Sequence, residues 1–409
     1  MKVNARVAAN VPFPVRGESG YRVFVMAARA TPEFVNSELD FHQGFPIMAL
    51  DFEGLCRFGA ESGASDIYIK EGAPPALKIN STLRKLEHPP LTHEDLEGVV
   101  KNLLTPEQFV DFQKHPDHDL SYNIPEVARF RVNIYKVKGG YALCLRVVGL
   151  RIRKFAELGL PEVLAEFTRV HSGLVLVTGA TGSGKSTTLA AMIDLINQER
   201  KGHIVTIEDP IEYVHPDKGC FISQREVGLD TADFASALRA ALREAPDVIL
   251  VGELRDAETM GICLQAAETG HLVFSTLHTP SAAESMERML SMFQPHEKEL
   301  VQQRLSKTLR AILSQKLVPT VDGKGRACAI EILNVSPTVA QYIEEGRTGQ
   351  IYQAIKEGAS QWKMQTMNMA LDKYYREGKI TEEMALNYAG IRSELRQMLR
   401  RSDADQKAA

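Results

Sequence analysis

Between residues 174 and 277 four short apolar runs recur: LVLVT (174–178), HIVTI (203–207), DVILVG (247–252) and LVFSTL (272–277). Each is nearly continuous in Val, Ile, Leu and Phe rather than alternating with polar residues, the pattern of a strand covered on both faces. Segments with helical periodicity lie between them, TTLAAMIDLINQ (187–198) and DFASALRAALREA (233–245). Strands that alternate with helices predict an open parallel sheet, whose ligands sit at the carboxyl ends of the strands. Those ends are polar here. The first run enters a glycine-containing loop, the second Glu208 and Asp209, the third Glu253 and the fourth His278. Taken singly, each group is an ordinary loop carboxylate or surface histidine. Their common register predicts that they converge on one edge.

The preceding segment, 48–148, has a different rhythm and predicts a smaller α+β domain. DIYIK (66–70) and PALKI (75–79) are short strands around a Gly-Ala-Pro turn, residues 91–112 read as helices, and 129–148 as a hairpin hinged at Gly139 and Gly140. With a two-residue loop there, Arg146 opposes Asn133 and Arg131 is its diagonal neighbour on the same face, roughly 7–8 Å away. A three-residue loop puts the two arginines on opposite faces. The alternative is a pair of solvated strand arginines. Residues 1–47 show scattered Pro and Gly with no sustained period and are expected to be disordered, with Met48 a candidate translation start. The expected boundaries are a linker at 149–160, the parallel-sheet domain at 161–336, helices at 337–401 and a tail at 402–409. Ser336-Pro337 is a helix start. The basic end of the helical segment is either a solvated face or a surface for a membrane-protein partner, and Trp362 is expected to serve packing.

A length of 409 residues requires more than one core, and 44% hydrophobic with 24% charged residues is globular. The net charge of −4 argues against bulk nucleic-acid binding. Five cysteines, none in a C-x-x-C pair, suggest neither a disulfide framework nor a zinc site.

The most specific chemistry is GATGSGKS, 179–186, which fits G-x-x-x-x-G-K-[ST] between a strand and a helix. Glycines let backbone N–H groups close around phosphates, and the helix N-terminus adds positive dipole. Gly179, Thr181, Gly182, Ser183, Gly184, Lys185, Ser186 and Thr187 are the expected contacts of ATP. Lys185 would reach the β- and γ-phosphates and Ser186 would ligate Mg²⁺. Of the two carboxylates, Glu253 is assigned to Mg²⁺ and Glu208 to the attacking water, with the opposite assignment open. An arginine on the developing γ-phosphoryl charge is worth roughly 10³–10⁵ in rate. Arg131 and Arg146 are candidates if the first domain packs over the nucleotide; Arg239 and Arg243, four apart on one helix, are others. His278 is the phosphate-side histidine. A strand of this length spans roughly 23 Å, so His271 needs another partner, a neighbouring subunit or a structural hydrogen bond.

GATGSGKSTT, TIEDPIEY (206–213), ALREAPDVILVGELRDAET (241–259) and AETGHLVFSTLHT (267–279) resemble the Walker A, Asp, Walker B and His boxes of secretion and type IV pilus ATPases. ASDIYIKEGAPP (64–75) and VARFRVN (127–133) are similar to the N-terminal domain of the retraction branch, the PilT and PilU type. The resemblance implies a RecA-like ATPase core after a PAS-like domain, assembled as a homohexamer. It also implies catalytic roles for Glu208 and Glu253, His-box roles for His271 and His278, and γ-phosphate contact by Arg131 and Arg146. The implied function is ATP-driven pilus retraction, with twitching motility, at the cytoplasmic face of the inner membrane. The implied partners are a membrane platform protein and a paralogous ATPase, and not nucleic acid.

Departures from the branch are Ala180 in place of Pro, an acidic stretch at 338–351 and Asn368 in place of Asp. They keep an accessory retraction paralogue as an alternative. A pilus-assembly or type II secretion ATPase is a further one, although the longer N-terminal region and four-cysteine loop of that branch are missing. A RecA-type nucleic-acid motor would need a basic stripe with aromatics, which the chain lacks. A non-hydrolysing scaffold would lack a catalytic group.

Overall fold

The computed structural model describes residues 50–79, 82–125, 127–148, 152–323 and 325–408, except the side chains of 403–408. The extension at 1–47, the candidate start at Met48 and the opening of the linker at 149–151 lie outside the described residues.

The first sheet contains β1 (Asp66–Lys70), β2 (Ala76–Ile79), β3 (Thr82–Lys85), β4 (Asp117–Ile124), β5 (Ala128–Val137) and β6 (Gly140–Val148), in the order β3-β2-β1-β6-β5-β4. All its pairings are antiparallel. Alternation along β5 sets its faces. Ala128, Phe130, Val132 and Ile134 are buried, and the last three pack with Leu96, Val99 and Val100 of the helix His93–Leu103. Arg129, Arg131 and Asn133 take the opposite face.

The hairpin register differs from expectation. Val137 pairs with Gly140, so Lys138 and Gly139 form the turn and Arg131 stands directly opposite Arg146 instead of diagonal to it. Lys138 has φ 53° and Gly139 φ 86°. A two-residue loop that matches strand twist needs positive φ at both central residues, and the lysine accepts that strain one position before the Gly-Gly pair.

The second sheet contains β7 (Gly173–Thr178), β8 (His203–Glu208), β9 (Phe221–Glu226), β10 (Val248–Val251), β11 (Leu272–Leu277), β12 (Leu309–Pro319) and β13 (Arg326–Asn334). Its order is β13-β12-β7-β11-β10-β8-β9, with only β13 antiparallel to its neighbour. Successive side chains of β7 enter different cores: Leu174 and Leu176 join one, Val175 and Val177 the other. This two-sided burial explains the continuous apolar runs. Phe274, fully buried, contributes on the order of 1.5–3 kcal/mol by leaving water.

Helix ends follow local chemistry. Asp256 caps the helix Ala257–Glu268 by accepting from Thr259 N, and Ser336 caps Pro337–Glu344, with Pro337 in its first turn. The helix over 233–245 is shorter than expected, Phe234–Ala241. Ala245 has φ 50° and precedes Pro246, a position where α geometry is disfavoured. Arg243 therefore lies beyond the helix and does not share a helical face with Arg239. The basic helix Arg392–Ala408 buries Leu395 and Leu399 against Leu371, Ile380 and Val318, so one side of it is committed to packing. Trp362 packs against the core and its carbonyl accepts from Asn334 Nδ2 at 3.1 Å.

Candidate active site

β7 lies between β11 and β12, and its carboxyl end turns through the glycine loop into the helix Lys185–Glu199. Gly182 (φ 78°) and Gly184 (φ 91°) hold left-handed conformations that a Cβ would strain. Lys185 is buried, and its Nζ donates to the carbonyls of Gly179 at 2.9 Å and Ala180 at 3.2 Å. Burial lowers the lysine's pKa below its ordinary value, opposed by the carboxylates of Glu253 and Glu212. Ser183 Oγ is buried without a hydrogen-bond partner among the described residues.

A cavity of about 710 Å³ opens above this loop. Thr181, Gly182, Gly184, Lys185, Ser186, Thr187, Glu208, Glu253 and His278 line it. The ends of β7, β8, β10 and β11 thus deliver their polar groups to one space. Gly179 and Ser183 are not among its lining residues; the carbonyl of Gly179 instead accepts from Lys185 Nζ.

Glu208 sits at the wall of the cavity. Its Oε1 accepts from Thr206 Oγ1 at 2.7 Å and Gln224 Nε2 at 3.3 Å. Burial pushes its pKa up to about 7, the hydrogen bonds only partly opposing this. A carboxyl near half-ionisation at neutral pH suits a proton acceptor. Glu253 is differently placed: Arg255 Nε donates to its Oε2 at 2.9 Å, and His278 Nε2 lies 3.5 Å from its Oε1. Arg255 also pairs with Asp209 at 3.5 Å.

The other predicted residues are elsewhere. His271 begins at the far end of β11, where Nδ1 lies 3.0 Å from Ala266 O and 3.3 Å from Thr269 Oγ1. Of its two expected partners, the structural hydrogen bond is present. Arg131 and Arg146 are not among the cavity's lining residues. Arg146 Nε instead donates to Asp66 at 3.1 Å, while its side chain is 70% exposed. Arg239 pairs with Glu258.

Several cavity residues escaped sequence reasoning. Arg153, Glu157, Leu158 and Leu160 come from the expected linker, Gln315 and Leu317 from β12, Arg326 and Cys328 from β13. No local motif joins these segments. Arg255, two residues after Glu253, and Glu212 and Tyr213, within the box at 206–213, were open to detection by proximity.

The donor set suits a magnesium–nucleotide complex. Ser186 and Thr187 offer hydroxyls and Glu253 a carboxylate, hard oxygen donors of the kind Mg²⁺ takes alongside phosphate oxygens. The loop, its buried lysine and two carboxylates at neighbouring strand ends place the chain among the P-loop ATPases.

Comparison narrows the class. The family model described as Type II/IV secretion system protein matches residues 59–403. The chain is 44% identical to "Type IV pilus retractation ATPase PilT" of Pseudomonas aeruginosa over 84% of this chain and 99% of PilT. It is 41% identical to "Type IV pilus ATPase PilU" of the same organism over 87% of this chain and 94% of PilU. A crystal structure of the pilus retraction motor PilT with bound ADP has a TM-score of 0.79 at 43% identity, over 85% of this chain and 99% of that one. The chain therefore belongs to the type IV pilus retraction ATPases of the secretion ATPase family.

Proposed function

We propose that this chain hydrolyses Mg²⁺-ATP to drive type IV pilus retraction, working as a homohexamer at the cytoplasmic face of the inner membrane against a platform protein. The observation that carries the proposal is the convergence of Lys185, Glu208, Glu253 and His278 on one cavity. No helix among the described residues is long and apolar enough to cross a membrane.

Each side chain has a distinct task. Lys185 exchanges its two loop carbonyls for phosphate oxygens, keeping its charge in a poorly solvated place where it acts strongly. Loop N–H groups hold the β-phosphate. Ser186 and Glu253 would hold Mg²⁺, which supplies charge neutralisation to the phosphates when bound. Glu208 orients the attacking water and takes its proton on the carboxylate. Water oxygen then bonds to the γ-phosphorus as the bond to the β,γ-bridging oxygen breaks. His278, beside Glu253, senses whether the γ-phosphate is present. Arg131 and Arg146 serve a nucleotide held by a neighbouring copy, since neither lines the cavity of its own chain.

An accessory retraction motor is the second reading. Asn368, where the branch commonly has an aspartate, favours it. Its Nδ2 donates to Ile391 O at 2.9 Å and Glu394 Oε2 at 3.1 Å, and its Oδ1 accepts from Gly390 N at 3.0 Å. An aspartate there would set two carboxylates together, so the C-terminal helices are built around the amide.

Gene deletion tests the proposal. Cells with more surface pili and no twitching support retraction by the principal motor, and wild-type twitching until a paralogue is weakened supports the accessory role. Bald cells would overturn both.

A further inference from the structure

One buried ion pair joins the two sheets. Arg129 Nη2, on β5, donates to Glu226 Oε2, on β9, at 2.7 Å; the side chains are 19% and 8% exposed. Ser121 on β4 completes the contact: its Oγ accepts from Arg129 Nη2 at 3.0 Å and donates to Glu226 Oε1 at 3.1 Å. Glu226 is also tied to the catalytic side. Its Oε2 accepts from Ile211 N at 3.1 Å, just after Glu208, Asp209 and Pro210 of the cavity wall. In the parallel pairing it stands opposite Glu208, and Val227 N donates to Glu208 O at 2.9 Å.

Two residues before Glu226, and therefore on the same face of β9, is Gln224. Its amide bonds the Glu208 carboxylate at 3.3 Å and the Tyr213 carbonyl at 2.9 Å, and its Oε1 accepts from His215 N at 2.8 Å. β9 thus holds Glu208 and the loop that follows it. On the other side of the pair, Arg131 follows Arg129 by two residues on the same face of β5. The pair lies between the strand that bears the candidate finger arginine and the strand that orients the candidate base.

We infer that Glu226 is a positioning residue for ATP hydrolysis: through Arg129 it sets β9, and with it Gln224 and the 209–213 loop, to the orientation of the first sheet. Rotation of the first sheet then changes how the Glu208 carboxylate faces the attacking water. Because a buried carboxylate, a partly buried guanidinium and a hydroxyl are mutually satisfied, a small rotation leaves groups unpaired, which makes the contact discrete rather than graded. The inference rests on Glu208 being the base that acts on water.

Steady-state phosphate release by the full chain, with ATP affinity and assembly size measured in parallel, provides the test. Glu226→Gln keeps an acceptor oxygen for Ile211 N and turns an amide N–H toward Ser121 Oγ, but removes the charge that Arg129 pairs with. The expected result is a fall in kcat of about tenfold or more with KM within twofold and unchanged assembly. Arg129→Gln should do the same, Arg129→Lys should restore most of kcat, and the double Gln variant should be no worse than either single one. Should Glu226→Gln fail to assemble, Arg129→Gln, at the more exposed partner, decides alone by the same criteria. Unchanged kcat in Arg129→Gln, additive losses in the double variant, or a loss lying wholly in KM would overturn the inference. Glu208→Gln separates the two claims. If it keeps activity, the assignment of the base fails. If it is inactive while Arg129→Gln is fully active, only the positioning role fails.

Discussion

Glu208→Gln should cost activity and add stability, and the second effect has a sign that depends on pH. The carboxyl of Glu208 has its pKa raised by burial from 4.5 to about 7. Below pH ~4.5 it is protonated in both folded and unfolded chains and contributes nothing. As pH rises, the unfolded chain ionises it first, so the folded state loses stability until the pH passes about 7. At 1.36 kcal/mol per pH unit the full loss is about 3 kcal/mol, against under about 1 kcal/mol at pH 5. Glutamine abolishes this titration. The hydrogen bonds from Thr206 and Gln224 both fall on Oε1, so an amide oxygen can accept both, and the backbone of Glu212 adds a smaller contact that favours the ionised form. Unfolding of variant and parent should therefore differ by about 3 kcal/mol at pH 8, with the variant more stable, roughly 6–12 °C for a domain of this size, and by little at pH 5. Phosphate release should fall by about 10²–10⁴. An equal stability gain at both pH values, or activity within threefold of the parent, would refute the reasoning.

Other perturbations separate the remaining roles. Lys185→Ala should weaken ATP binding by about 10–100-fold, the loss of a charge-assisted hydrogen bond, as read by titration with a fluorescent nucleotide; unchanged affinity would remove Lys185 from the phosphate site. His271→Ala should cost about 1 kcal/mol of stability through its bond to Ala266 O and leave ATP affinity unaltered, whereas His278→Ala should lower kcat with little effect on the melting temperature. Each is checked by paired calorimetry and kinetics. A double Arg131→Ala, Arg146→Ala chain mixed with inactive Lys185→Ala chain should recover phosphate release if the arginines act across subunits. No recovery at any mixing ratio would confine them to their own chain.

The parts of the site that were legible in sequence are those fixed within a few residues. β7, β8, β10 and β11 show as apolar runs because both faces are buried, and each is followed at once by its polar group. β9 was not legible: FISQRE alternates weakly, lies at the sheet edge and exposes Phe221, so it lacks a hydrophobic signature although it carries Gln224 and Glu226. β12 follows the helix Lys298–Thr308 without a break, and charged Arg310 and Lys316 interrupt its apolar pattern. The Arg131–Arg146 register turned on one residue, Lys138, taking a left-handed conformation that glycine was expected to take. The linker's contribution to the cavity arises only when distant segments fold against each other.

The most direct test of the central claim is a structure of the assembled protein with Mg²⁺ and a non-hydrolysable ATP analogue. The account predicts the γ-phosphate within hydrogen-bond reach of Lys185 Nζ, Mg²⁺ on Ser186, and the Glu208 carboxylate facing a water in line with the γ-phosphorus. A triphosphate bound away from Lys185, or Glu208 and Glu253 both turned from it, would contradict the account.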